Sequence, residues 1–369
     1  MDQPGAALAL QARYVGRARE LMPLHLKTLG LTIVTLGIYR FWARTRLRQH
    51  IWRRIVLEGD GLEYTGTGAE LFFGFLKALC VLLPLAIAYF AVQVANEIDP
   101  SLWLGALQAA LYVAFIYLYM VGSYAGLRYR MNRTRWRGIR FRQDGSPWRY
   151  GAIALGGYLL GTLTLGFYLP YLHVKLARFE AEHRTFGSQR FSFDGKGSEL
   201  MPAFFLAFFM VLVVMLLFAF LVFMVIQAVA HFVPGHVKAN AELGAAIGLG
   251  VVFLVLFLFY GGIYAVFAHY NAARYTYVIE HTRWGDLAFA AAKPITPISL
   301  IRLVLGNVVT MVFTLTLLYP VIVRRTMRFW CERIAASGMV DFARITQTEA
   351  VTGTGEGLAG YFNVDAMGG

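Results

Sequence analysis

Two nearly unbroken apolar stretches, Met201 to Ala230 and Ala245 to Val266, dictate the environment in which this chain folds. Each exceeds the roughly 20 residues that carry an α-helix across the hydrocarbon core of a bilayer. No water reaches a bare backbone N–H or C=O there, so such segments must be helical. The remainder of the 369 residues agrees, since 58% are hydrophobic and only 15% charged. Soluble domains are closer to half apolar and a quarter charged. The expectation is an all-α polytopic membrane protein with short β-strands and hairpins in the connectors that flank the membrane.

A second feature organises the chain. Thr35 to Leu71 reads TLGIYRFWARTRLRQHIWRRIVLEGDGLEYTGTGAEL, and Thr164 to Leu200 reads TLGFYLPYLHVKLARFEAEHRTFGSQRFSFDGKGSEL. Thr35, Leu36, Gly37, Tyr39, Gly66, Gly68 and Glu70 meet Thr164, Leu165, Gly166, Tyr168, Gly195, Gly197 and Glu199 without a gap. Repetition at this length marks duplicated supersecondary units. A third echo, Thr314-Leu315-Thr316-Leu317-Leu318-Tyr319-Pro320, follows Thr164 to Pro170.

Hydropathy and flanking charge then place about seven spans. These are Leu21 to Trp42, Leu71 to Val94, Leu102 to Ala125, Trp148 to Tyr171, Met201 to Ala230, Ala245 to His269, and Ile298 to Val323. They sort into a first three-span repeat (1–140), a second (141–290), a seventh span with its basic flank (291–346), and a loose Gly-rich tail (347–369). Three crossings per repeat would invert the second relative to the first. The connectors Arg40 to Arg54 and Arg128 to Arg142 are dense in arginine, whereas those at Lys175 to Arg190 and Arg274 to Lys293 are sparser or mixed with acid. Positive-inside bias therefore places the first pair and the C-terminal flank in the cytoplasm and the N-terminus outside. Strand-like pieces near Leu62, Ile139 and Phe342 would fall inside, and those near Tyr14, Phe191 and Leu287 outside. Asp60-Gly61, between two short apolar runs, reads as the turn of a hairpin. No positive n-region followed by an apolar h-region opens the chain, so no cleavable signal peptide is expected.

The net charge of +13 invites a nucleic-acid reading. The arginines crowd beside apolar runs, which is what membrane anchoring produces, and no nucleic-acid partner is expected. Arg40, Arg44 and Arg48 form a helical stripe with Arg46, Trp42 and Trp52 around it, and Arg135-Trp136 repeats the pairing of cation and amphipathic ring. These are candidate contacts to anionic lipid headgroups, or an ordinary positive-inside flank. Thr28, Thr32 and Thr35 share one helical face, as do Asn307, Thr310 and Thr314. Such groups line a substrate path or bind helices together.

Two cysteines and eight histidines show no metal-ligand spacing, and neither HExxH, Gly-x-Ser-x-Gly nor a P-loop occurs. No metal, no cofactor and no enzyme activity are expected.

The phrase TLGIYRFWARTRLR, followed by a hairpin and YTGTGAEL, resembles the bacterial inner-membrane family of unknown function typified by YjgN. Pro170 and Pro320 keep a proline that the family usually carries where this chain has Phe41, and Gly355-Glu356-Gly357-Leu358-Ala359 resembles a C-terminal motif of the family. The resemblance implies a bacterial inner-membrane protein and supplies no activity. Two functions stay open. One is a transporter or channel for a small solute, with its site near midplane. The other is a non-transporting membrane module that binds anionic lipid or a protein partner through its Arg/Trp connectors.

Overall fold

The computed structural model describes residues 8–232 and 241–338. The expected strand near Phe342, the C-terminal motif and the 347–369 tail lie outside the described residues.

The connectors are the framework of the fold. Their strands are β1 (Leu8–Gln11), β2 (Arg13–Tyr14), β3 (Ile55–Leu57), β4 (Asp60–Gly61), β5 (Glu63–Tyr64), β6 (Thr134–Trp136), β7 (Ile139–Gln143), β8 (Arg184–Phe186), β9 (Gln189–Phe193), β10 (Thr282–Trp284), β11 (Leu287–Ala291) and β12 (Ile334–Gly338). A nine-stranded antiparallel sheet runs β1-β12-β11-β10-β9-β8-β7-β6-β5, and a three-stranded sheet runs β2-β3-β4. The two sheets are continuous, because β1 passes into β2 at Ala12 and β4 into β5 at Leu62, whose N–H donates to Ile55 O (3.0 Å). Following the pairings from β12 through β1/β2, β3 and β4/β5 to β6 returns to β12, so the strands close on themselves. Among the described residues, closure removes the long free edges that an open sheet of these strands would present.

Alternation along the strands sorts side chains between the two faces of the ring. Trp136, Phe141, Phe186, Phe191, Trp284, Leu287 and Phe289 line the interior. Their neighbours Arg135, Arg140, Arg142, Arg190 and Arg283 take the outer face, where none is buried. The hairpin turn lies at Glu58 (φ +47°) and Gly59 (φ +85°), two residues before the expected Asp60-Gly61. Two consecutive positive φ angles match a type I′ turn, and Asp60 instead pairs with Leu57.

Helical hairpins alternate with these strands. The long ones are α3 (Gly68–Ile98) with α4 (Leu102–Asn132), and α7 (Met201–Phe232) with α8 (Ala241–Glu280). All four helices are long and apolar enough to cross a membrane. The short ones are α1 (Ala18–Val34) with α2 (Arg40–Arg53), α5 (Pro147–Leu163) with α6 (Leu169–Glu182), and α9 (Pro297–Phe313) with α10 (Tyr319–Cys331). At 1.5 Å per residue, 17 residues reach about 25 Å, short of a ~30 Å hydrocarbon core.

This corrects the expectation of seven spans in an all-α chain. Runs one, four and seven each double back within what hydropathy reads as one crossing. The turns explain why. Leu36 (φ +48°) and Gly37 (φ +92°) adopt left-handed conformations, as do Leu165 and Gly166 (φ +51° and +93°), and Leu315 and Thr316 (φ +46° and +68°). Gly37 N–H donates to Thr32 O (2.7 Å), Gly166 N–H to Gly161 O (2.7 Å) and Thr316 N–H to Met311 O (3.0 Å), the bond that closes a Schellman cap. The preceding threonine joins the two helices. Thr35 Oγ1 donates to Leu31 O (2.8 Å) and accepts from Tyr39 N–H (2.9 Å). Thr164 does the same between Leu160 O (2.8 Å) and Tyr168 N–H (3.1 Å), and Thr314 between Thr310 O (2.6 Å) and Leu318 N–H (3.3 Å). The runs stay apolar through the turn, so hydropathy does not register it.

The expected inversion of the second half and the three-to-a-side sorting of the strands fall with the same finding. β7, expected inside, pairs with β8, and β8 with β9, expected outside. Each helical hairpin starts and ends at adjacent strands of one ring.

The first and last hairpins pack together where the ring closes. Leu21, Ile51, Val323 and Met327 form a buried cluster between α1, α2 and α10. His25 Nε2 lies 3.0 Å from Thr316 O, and because a carbonyl only accepts, the histidine donates. Ser198–Tyr277 with Ile295–Arg302 forms a second compact unit. Within it Phe218 packs on Phe259 (4.2 Å between ring centres) and Tyr277 OH donates to Glu199 Oε2 (2.6 Å).

Two outcomes follow. Single cysteines at Glu58, Arg137, Ser188 and Asp286, in a Cys80→Ala, Cys331→Ala background, are expected to react with an impermeant thiol reagent from the same face of the membrane. Labelling of Glu58 and Ser188 from opposite faces would contradict the ring. Thr164→Val removes the hydroxyl's hydrogen bonds to Leu160 O, to Gly161 O and from Tyr168 N–H at constant shape and is expected to cost about 1–2 kcal/mol, measured by denaturant unfolding in mild detergent, whereas Leu165→Gly relieves the left-handed leucine and is expected to cost nothing.

Candidate functional site

Where β1 gives way to β2, the strand leaves its partner β12 and takes up β3. Beside this seam lies a cavity of about 560 Å3 whose charged walls are Arg13, Arg17, Lys293, Arg324, Arg328 and Glu332. Local structure brings them there from distant parts of the chain. Arg13 sits on β2, Arg17 stands immediately before α1, and Lys293 follows β11. Arg324 and Arg328 stand one turn apart on α10, whose neighbouring Val323 and Met327 are committed to the cluster with α1. That commitment turns the arginines away from the core.

Glu332 is the one carboxylate in the wall. It accepts from Lys293 Nζ (2.9 Å) and from Arg328 Nε and Nη2 (3.3 and 3.2 Å). The Lys293 hydrogen bond, aided by Arg328, holds its pKa below the usual carboxylate value, so it is ionised at neutral pH. Burial pushes the Tyr14 phenol in the same wall above its usual value, which keeps it neutral. Arg13, Arg17 and Arg324 have no acidic partner among the described residues. The cavity thus offers five cations against one carboxylate, in water-accessible geometry suited to a phosphate-bearing or carboxylate group.

The residues singled out in the sequence are distributed differently. Arg40 is exposed at the start of α2, and Arg44 is half-buried. Arg46 lies over the Tyr39 ring at 5.7 Å, and buried Arg48 lies 6.0 Å from the Tyr64 ring centre. Trp42 packs on Phe72 and on Gly68, where an added Cβ would come within 2.6 Å of the indole. Trp52 donates through Nε1 to Thr134 Oγ1 (3.0 Å), tying α2 to β6. Arg135 is on the outer face of the ring, opposite Glu63 and Arg140, while Trp136 lines the interior. The structure therefore brings Arg48 and Trp52 to the joint between α2 and the ring, sets Trp42 against α3, and leaves Arg40 and Arg46 facing outward.

The polar residues of the apolar runs bond locally. Thr28 Oγ1 donates to His25 O (3.0 Å), Thr32 Oγ1 to Thr28 O (2.7 Å) and Thr310 Oγ1 to Gly306 O (2.6 Å). Asn307 Nδ2 donates to Thr326 Oγ1 (3.0 Å), and Asn307 Oδ1 accepts from Arg325 Nη1 (3.3 Å), joining α9 to α10. No group of histidine, cysteine and carboxylate side chains among the described residues could hold a metal ion.

Arg324 and Arg328 were legible as a basic flank, but Arg13, Arg17 and Lys293 carried no such signal. They lie singly in polar segments, and only ring closure gathers them.

Comparison with known proteins gives a family and no activity. A family model described as "Bacterial protein of unknown function (DUF898)" matches residues 9–361. Over 111 residues the chain is 31% identical to the inner membrane protein YjgN of Escherichia coli O157:H7, a match that spans 30% of this chain and 25% of that relative. No solved structure matches.

Proposed function

Since the chain belongs to the bacterial DUF898 family of membrane proteins, whose description assigns no activity, we propose from the geometry that it is a non-transporting inner-membrane module that holds anionic lipid headgroups beside its strand ring. In this reading α3/α4 and α7/α8 cross the bilayer, so that the chain is multi-pass. The three short hairpins enter one leaflet only. The ring and its arginines face the cytoplasm, as positive-inside bias favours, and the residues after β12 begin on that side.

Three exposed hairpin tips support the partial insertion. Leu36, Leu165 and Leu315 are 94%, 75% and 80% exposed. Apolar tips with their backbone groups internally bonded are what a leaflet accepts. The observation that carries the headgroup reading is the basic cavity, where Arg13, Arg17 and Arg324 lack an acid partner among the described residues. It lies against α1 and α10, of the first and last short hairpins, in reach of headgroups if those hairpins enter the leaflet. Internal duplication accounts for the recurrence of the short hairpin three times. Transport is the weaker reading, because the polar side chains that would line a path make bonds to their own helices or hold α9 to α10.

Water-soluble dihexanoyl phosphatidylglycerol, added to the protein in phosphatidylcholine nanodiscs, is expected to bind with an affinity that falls as salt is raised. Arg13→Ala with Arg324→Ala is expected to weaken it about tenfold while leaving thermal stability unchanged. Glu332→Gln, which removes the opposing carboxylate and releases Lys293 and Arg328, is expected to strengthen it. Equal affinity for the double variant and the wild-type chain would sink the headgroup reading.

A further inference from the structure

The interior of the strand ring holds a second cavity, of about 280 Å3. Its walls come from β1, β3 and every strand from β6 to β12, which identifies it as the lumen of the ring. The walls are aromatic and aliphatic, led by Trp136, Phe141, Phe186, Phe191, Trp284 and Phe289, and Arg184 is the one charged residue among them. A packed small barrel fills its lumen with side chains. This one leaves space for about nine waters at ~30 Å3 each, or for an aliphatic chain of similar heavy-atom count. Apolar walls make water a poor tenant there.

The placement of Arg184 gives the space a polarity. Its Nε donates to Gln143 Oε1 (3.1 Å), and its guanidinium carbon lies 5.9 Å from the centre of the Phe191 ring. Gln143 is itself fully buried and fixed by donating to Tyr124 OH (2.9 Å) and Glu180 O (2.8 Å). The arginine is thus held by one nitrogen, and its two terminal NH2 groups make no hydrogen bond among the described residues. Desolvation lowers the arginine's pKa and nearby Glu180 opposes that, but a guanidinium stays charged at any physiological pH. Glu180 is engaged through Oε1, which accepts from Tyr150 OH (3.0 Å). A cation positioned by a buried amide, with donors to spare, on the wall of an otherwise apolar lumen is a receptor for an anion that carries an apolar chain.

We propose that the ring lumen binds one single aliphatic chain ending in an anionic group, with the chain among the aromatic side chains and the anion on Arg184. The site is separate from the basic cavity at the seam and stands whether or not that cavity takes headgroups. A free medium-chain carboxylate and the chain of an anionic bilayer lipid share this chemistry.

The test uses the full chain in phosphatidylcholine nanodiscs, with radiolabelled octanoate in equilibrium dialysis and empty nanodiscs as the blank. The wild-type chain is expected to bind one octanoate saturably, and octanol and octylamine at least tenfold more weakly, since a hydrogen bond to a charged group contributes about that factor or more. Arg184→Gln is expected to bring octanoate down to the level of octanol. Ala336→Phe, at a buried lumen position, is expected to abolish binding of both. Dioctanoyl phosphatidylglycerol that displaces octanoate would identify a bilayer lipid as the source, and failure to displace would identify a free carboxylate. Both results uphold the lumen site. Equal wild-type affinity for octanoate and octanol overturns it without recourse to any variant. So does loss of octanoate binding in Arg13→Ala with Arg324→Ala while Arg184→Gln binds normally, because that moves the anion to the seam.

Discussion

The pairing of β1 with β12 is the contact on which the remaining architecture depends. Leu8, Ala9, Leu10 and Gln11 stand opposite Gly338, Ser337, Ala336 and Ala335, at the two ends of the described chain. The strands are two to five residues long, too short to be stable as isolated hairpins. Closing them into a ring joins the two sheets through β1/β2 and β4/β5 and fixes where each helical hairpin begins. Gly338 makes the last pairing feasible. Its φ of +146° suits glycine alone, and an added Cβ would come within 2.5 Å of Asp286 O. Without closure the basic cavity would lose the wall that β2 supplies, and the lumen the wall that β1 and β12 supply.

Several parts of this arrangement could be read in the sequence, for identifiable reasons. The long apolar helices α3, α4, α7 and α8 were legible because hydropathy responds to apolar length, and the strands because their alternation is local. The short hairpins were not. Thr35 to Tyr39 is as apolar as its surroundings, and a leucine with positive φ gives no warning in composition. The signal that could have exposed the turn was already visible in the recurrence of Thr-Leu-Gly or Thr-Leu-Thr before each Tyr or Leu-Tyr. Threonine at that place can bridge a helix end to a helix start, and glycine after leucine can close a Schellman cap. Reading the motif as a turn halves the crossing at each place and restores an even count between connectors.

The candidate site was less legible, because it is a product of closure. Arg13 belongs to β2, Arg17 immediately precedes α1, Lys293 lies in a connector, and Arg324 and Arg328 belong to α10. Nothing in any one segment distinguishes these cations from the many that cover the outer face of the ring. The arginine and tryptophan stripe of α2 was conspicuous in the sequence, yet Trp52 and Arg48 are engaged with β5 and β6. Density of charge along the chain marked the joint between helix and ring, and proximity in space made the cavity.

Ala12 shows how closely the two cavities are related. It lines both the lumen and the basic cavity, and it is the residue at which the hydrogen bonding of the first strand passes from β12 to β3. Alternation sends Leu10 to the lumen and Gln11 and Arg13 to the seam. The register to β12 ends at Gln11 and that to β3 begins at Arg13, and the residue between them carries only a methyl side chain. One methyl group therefore stands where a larger side chain would thicken the wall between an apolar lumen and a cationic surface. A single strand thus separates the apolar lumen from the cationic cavity at this point.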